Sequence, residues 1–232
     1  FRTAGSDAER RAADYLVEEF EKIGLEDVTK DAVTVDKWQF NEAYMNIDYT
    51  DKDGESQELN IADMVSYAAQ GTVQLGGDYS NLEIVDLGMG TEAEYQEYYE
   101  NSGNTDMSGK IALVGVDQWN EVWIDGPYME AATQNAAAIV SYSMGGYAQY
   151  DDDTINIQDI CAPDMKMPCT SISKNDAERI QKMLKNGTDI TAELYVDNEV
   201  GSQNGTSYNV TGTIKGTENT GQRLIVAGHY EK

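Results

Sequence analysis

The run GKIALVGVD at residues 109–117 constrains this chain more than any other segment. Its apolar residues are contiguous rather than alternating, so it reads as a clean buried strand. With the helical and strand-like segments around it, it reads as part of a mixed α/β module. A second β-prone apolar run, LIVAG at 224–228, reads as a strand buried on both faces. The clearest helix is SDAERRAADYLVEEFEKIG, near the start of the chain. Ser6 and Glu9 fit a capping box, in which each side chain caps the other residue's backbone N–H. Ala12, Ala13, Leu16, Val17, Phe20 and Ile23 then recur at helical spacing, and Gly24 supplies the stop.

From residue 28 to 50 the pattern changes to shorter alternating runs that read as strands, followed by a hairpin-type turn in DKDGE with Gly54 at positive φ. Residues 59–69 read as a short helix or irregular chain. LEIVDLG reads as a strand and TEAEYQEYYENSG as a short acidic helix. After 109–117, GPYMEAATQNAAAIVSYS reads as a helix with small residues on its inner face. MPCTSISKNDAERIQKMLKNG reads as a strand and a helix, with Ser173 and Asp176 as an N-cap pair and Gly187 as the stop. DITAELYVD is a further strand, and the Gly/Asn/Ser-rich residues 198–206 read as a connector. SYNVTGTIKGT and QRLIVAGHYEK read as two strands joined by a turn.

The 232 residues carry 42 acids and 16 bases, a formal net charge of -26. Nucleic-acid binding needs clustered Lys and Arg, so this balance argues against it, and against docking on anionic lipid. An acidic coat of this kind favours solubility and attraction of basic or cationic partners. Fifteen tyrosines dominate the aromatic content and predict half-buried, polar-rimmed surfaces. No apolar run approaches the roughly 20 residues of a membrane-spanning helix. The chain opens on FRTAGSDAERRAADYL, without Met and already entering a helix, which predicts a segment of a longer protein. The missing signal peptide therefore says nothing about secretion.

Three features could carry chemistry: His229 with Glu231, the acidic clusters and the serine nucleophile candidates. His229, the single histidine, follows LIVAG, with Glu231 two positions on. Ligands of open α/β sheets bind beyond the carboxyl ends of strands. Imidazole is a good zinc ligand, and a nearby carboxylate commonly orients it. Spacing alone leaves a polar residue at a strand end as the commoner explanation. The acidic groups DDD (151–153) and DKDGE (51–55) are conceivable calcium sites, but neither has the full twelve-position loop pattern, and both read as solvated loops. No G-x-S-x-G elbow is present, and a serine triad would have to recruit His229. Cys161 and Cys169 in CAPDMKMPC either form a local disulfide or stand as two buried thiols. Asn186, Asn204 and Asn209 begin Asn-x-Thr sequons, which matter only in a secreted eukaryotic chain.

Taken in order, several segments resemble one family. RTAGSDAERRAADYLVEEFEKIGL, with Arg2, Gly5 and Ser6, resembles the loop and leading helix of co-catalytic two-zinc aminopeptidases and glutamate-carboxypeptidase-type exopeptidases. SYNVTGTIKGT resembles the family's Tyr-Asn-Val strand and hairpin, and LIVAGHYEK the next strand, which ends His-x-Asp. DMSGKIALV, the Ala-rich segment after it and MPCTSISKNDAERIQKML resemble the protease-associated domain that many members carry as an insert.

The resemblance implies residues 1–34 as the leading helix of a peptidase domain, 35–205 as a protease-associated insert and 206–232 as the peptidase domain's first strands. The insert would be α+β, a mixed sheet or open barrel with flanking helices. By position, His229 matches the first zinc ligand. Glu231 stands where the family has the Asp that accepts the histidine's other N–H, a departure that moves the carboxylate by about a bond length. The family's other ligands and its general base lie downstream, so the chain alone is expected to be inactive and to lack ordered zinc. For the intact protein the resemblance implies two zinc ions, hydrolysis of N-terminal residues or short peptides, and a secreted or cell-surface location. Its partners would be peptide or protein substrates and the remainder of its own catalytic domain. The competing expectation is a non-catalytic acidic module of protease-associated type that binds peptides or proteins.

Overall fold

The computed structural model describes residues 2–66, 72–76, 82–120, 122–146, 151–155, 167–218 and 220–230, with backbone alone at 200–203. In chain order the elements are α1 (Asp7–Lys22), β1 (Glu26–Thr50), β2 (Ser56–Ile61), β3 (Val65–Ser66), β4 (Thr72–Leu75), β5 (Leu82–Asp86), α2 (Glu92–Ser102), β6 (Lys110–Asp117), α3 (Asp125–Thr133), β7 (Ala138–Gly145), β8 (Cys169–Ser171), α4 (Lys174–Lys185) and β9 (Ile190–Thr213). The chain divides into two compact units, one of Phe1–Gln39 with Glu199–Lys232 and one of Phe40–Asn198. Among the described residues the strands follow the order β2-β1-β9-β5-β6-β7-β8-β3, with β4 paired to β9 off that path. The protein is α/β with a mixed sheet, as the sequence predicts.

In the unit of residues 40–198, β5, β6, β7 and β8 pair in parallel. Alternate residues of β6 feed opposite faces. Ile111 and Leu113 pack with Val140 of β7, Met45 and Ile47 of β1, and Ala177 and Ile180 of α4. Ala112, Val114 and Val116 pack with Tyr95 of α2, Tyr128 and Ala131 of α3, and Cys169. That double cover is why the GKIALVGVD run is apolar throughout. The DKDGE turn joins β1 to β2 as an antiparallel hairpin, with Gly54 at φ 83°. Asp51 holds it by accepting the Asp53 and Glu55 amides, each at 2.9 Å. Ser173 caps α4, its hydroxyl accepting the Asp176 amide at 3.0 Å.

Four expectations need correction. Residues 59–61 and 65–66 are strand, not helix; 67–69 lie outside the described residues. The segment from 126 to 143 is not one helix. α3 stops after Thr133, Asn135 takes a left-handed φ of 61°, and the Ala136 amide returns to Ala131 O at 2.9 Å. This is a Schellman-type stop, after which the chain enters β7. Residues 198–206 are no connector but part of β9. The closing LIVAG run is not a strand: among the described residues beyond Thr213 none lies in a helix or strand, and Leu224, Ile225 and Val226 are exposed. A strand's hydrogen bonds must come from a neighbour, and no described strand flanks this run.

In the unit of residues 1–39 and 199–232, Ser6 caps α1 by accepting the Glu9 amide at 3.1 Å. Gly24 (φ 84°) and the Leu25 amide bonded to Phe20 O close its other end. The second half of the predicted capping box is absent. The Ser6 amide donates instead to Thr3 O at 3.0 Å, which leaves the Glu9 carboxylate available for other partners.

Candidate functional site

Glu9 lies in the first turn of an acidic, solvent-rich helix, yet its side chain is fully buried. A buried carboxylate is tolerated only where donors surround it. Oε2 accepts the Gly5 amide at 2.8 Å. Oε1 accepts the Ser207 hydroxyl, the Tyr208 amide at 3.3 Å and the Tyr230 hydroxyl at 3.0 Å. The Tyr230 hydroxyl also lies 2.6 Å from Tyr208 O. A phenol has one proton, so this contact is bifurcated between two acceptors. Arg2 Nε donates to Tyr230 O at 2.8 Å. Residues from both ends of the sequence therefore converge on one carboxylate and one tyrosine.

Backbone shape permits this convergence. Gly5 adopts φ 77°, and a Cβ there would stand 3.2 Å from Gly205 Cα. Side chains at either position would hold the loop away from β9. Around the rim, the Lys30 ammonium sits 4.0 Å from the centre of the Tyr208 ring, a cation–π contact. Lys30 also donates to Asp14, and that bond holds the Asp14 carboxyl below its ordinary value. Thr29 and Thr211 hydroxyls meet at 2.8 Å, tying β1 to β9.

His229 precedes Tyr230 and is exposed. Glu231 lies outside the described residues, as does Cys161. Cys169 carries a free thiol, buried in the α2–α3 side of the other unit. Burial, with the Asp125 charge adding to it, pushes that thiol well above its ordinary value, so it is no nucleophile. Asp51 spends its carboxylate on the hairpin, with Gln57 Nε2 as a third donor at 2.9 Å. Asp152 and Asp153 pair with Lys174 and Asn175 at the start of α4.

A catalytic zinc needs three protein ligands and an open position. Among the described residues no group of three or more His, Cys, Asp and Glu side chains is placed to hold a metal. His229 offers one imidazole, which falls short of a zinc site, and no catalytic step follows from these residues alone. The sequence pointed to His229 but missed the Glu9 centre. Glu9 was legible only as a capping acid, because its partners lie about 200 positions further along the chain.

No protein-family model and no curated protein matches the sequence. Solved structures do match. An aminopeptidase from Aneurinibacillus sp. strain AM-1 is 22% identical with a TM-score of 0.57, over 96% of this chain and 46% of that one. A peptidase M28 precursor from Shewanella amazonensis SB2B is 21% identical with a TM-score of 0.63, over 90% and 46%. BSAP, a zinc aminopeptidase from Bacillus subtilis, is 17% identical with a TM-score of 0.55, over 90% and 42%. The chain shares their fold. It spans less than half the length of each of these proteins.

Proposed function

We propose that this chain is part of a peptidase-like hydrolase of the zinc aminopeptidase type, acting on N-terminal residues or short peptides. One observation carries the reading. The Arg2–Ser6 loop, α1, the end of β9 and the segment bearing His229 meet at Glu9 and Tyr230, and these are the segments on which the family resemblance rests. The fold shared with solved aminopeptidases supports it.

In this reading His229 ligates zinc in the intact protein, with two ions expected there. The remaining ligands and the general base are assigned to residues outside this chain, which is expected to be inactive by itself. Residues 35–205 act as a protease-associated insert that modulates access of peptide or protein substrates. A secreted or cell-surface location fits; among the described residues no helix is long and apolar enough to cross a membrane.

The alternative is a non-catalytic acidic binding module. It is favoured by the exposure of Trp119 and Trp123 within an acidic chain. The test is hydrolysis of an aminoacyl reporter amide with added zinc. The 232-residue chain should show none, and the full native protein should show turnover that His229→Ala abolishes. Turnover by this chain alone, or none by the full protein, would reject the proposal.

A further inference from the structure

Residues 222–230 make no ladder with any described strand, so side-chain and end contacts must set where this segment lies. Tyr230 makes three of them. Its carbonyl accepts from Arg2 at 2.8 Å. Its hydroxyl reaches Tyr208 O at 2.6 Å and Glu9 Oε1 at 3.0 Å. The residue is thus fixed at both its backbone and its ring tip. Glu9 is fixed in turn by Gly5, Ser207 and Tyr208. Its charge is buried without a cationic partner among these contacts, and an arrangement of that kind is costly unless each donor keeps its place.

We propose that Glu9 is a positioning residue for His229, acting through Tyr230. With the Tyr230 ring tip and carbonyl both held, the N–Cα bond of Tyr230 has a set direction, which fixes where the chain arrives from His229 and narrows the positions open to the His229 Cα. The Glu9 carboxylate contacts run to Gly5, Ser207, Tyr208 and Tyr230. Glu9 converts the rigidity of α1 and β9 into a defined exit for the single histidine. The functional weight of this role rests on the reading of His229 given above; the mechanical role does not.

One property of the sequence makes the test clean. With one histidine in 232 residues, the imidazole C–H signals of labelled protein belong to His229 alone. The comparison uses wild type, Tyr230→Phe, Glu9→Gln and the double variant, read by amide and imidazole relaxation. In the wild type the His229 amide should have an order parameter of about 0.85, typical of rigid backbone, falling below about 0.6 in Tyr230→Phe. Unchanged Ala13 and Thr211 amide shifts would show that α1 and this end of β9 remain folded. Glu9→Gln should loosen His229 on its own and add nothing in the Tyr230→Phe background. The proposal fails if Tyr230→Phe leaves His229 as ordered as in the wild type, or if Glu9→Gln adds its full effect on top of it. Should Glu9→Gln not fold, Glu9→Asp, which draws the carboxylate back from Tyr230, takes its place. Neither metal nor turnover enters the readout, so a failed hydrolase reading and a failed positioning role are told apart.

Discussion

Replacing Glu9 by Gln keeps the shape of the side chain and removes its charge. With the amide oxygen at Oε1, the three donors there keep an acceptor, though bonds to a neutral oxygen are about half as strong. The amide nitrogen then faces the Gly5 N–H, which donates to Oε2 at 2.8 Å. Two donors oppose each other, and an unsatisfied buried donor costs about 1–3 kcal/mol. Adding the weakened bonds at Oε1, the cost to this unit should be about 2–4 kcal/mol. Glu9→Ala, which abandons all four donors, should cost more. Hydrogen exchange is the appropriate assay because the two units need not unfold together. Amides of α1 should exchange roughly 30- to 1,000-fold faster in Glu9→Gln, at 1.4 kcal/mol per tenfold. Exchange of those amides within threefold of wild type would refute the argument that the buried charge orders this region.

 The other unit holds α2, α3 and α4, and their amides should exchange at the wild-type rate.

Three further outcomes follow from the same geometry. In a Cys161→Ser protein, Cys169 should resist a thiol reagent at pH 8 until denaturant is added, because burial keeps it protonated; prompt native-state labelling would contradict its placement. Gly76→Ala should lower the melting temperature, since φ is 83° there and the new Cβ would lie 2.4 Å from Ala192 O; an unchanged melt would show that this contact does not exist. Burial acts to raise the Glu94 carboxyl, but the amides of Thr91 and Met89 and the Thr91 hydroxyl outweigh it, so it lies below its ordinary value. A depressed carboxyl stabilises the fold above its unfolded pKa and loses that contribution as pH falls through the folded one. The melting-temperature advantage of wild type over Glu94→Gln should therefore be present at pH 7 and shrink as acid protonates the carboxyl, later than it would an ordinary glutamate. Comparing the two proteins cancels the relief of charge repulsion that acid brings to both; an advantage that grew in acid would reverse the sign of the argument.

Local signals carried much of the fold. Ser6, Gly24, Gly54 and Ser173 act where short-range chemistry puts them, and the unbroken apolar run of β6 matches its cover on both faces. Failures occurred where distant pairing overrides local preference. The Ala-rich stretch before β7 has helical propensity, but Ile139, Val140 and their neighbours take their backbone bonds from β6 and β8. Residues 198–206 have connector composition and still belong to β9. The candidate site divides in the same way. His229 stood out by being single, whereas the Glu9–Tyr230 contact joins residues 221 positions apart, which no local pattern encodes.

The central claim is that His229 serves a zinc-dependent hydrolase. Its most direct test is zinc content measured alongside aminoacyl-amide hydrolysis in the full native protein, wild type against His229→Ala. The account predicts bound zinc and turnover in the wild type, with both sharply reduced in the variant. Equal zinc and equal turnover in the two proteins would contradict it.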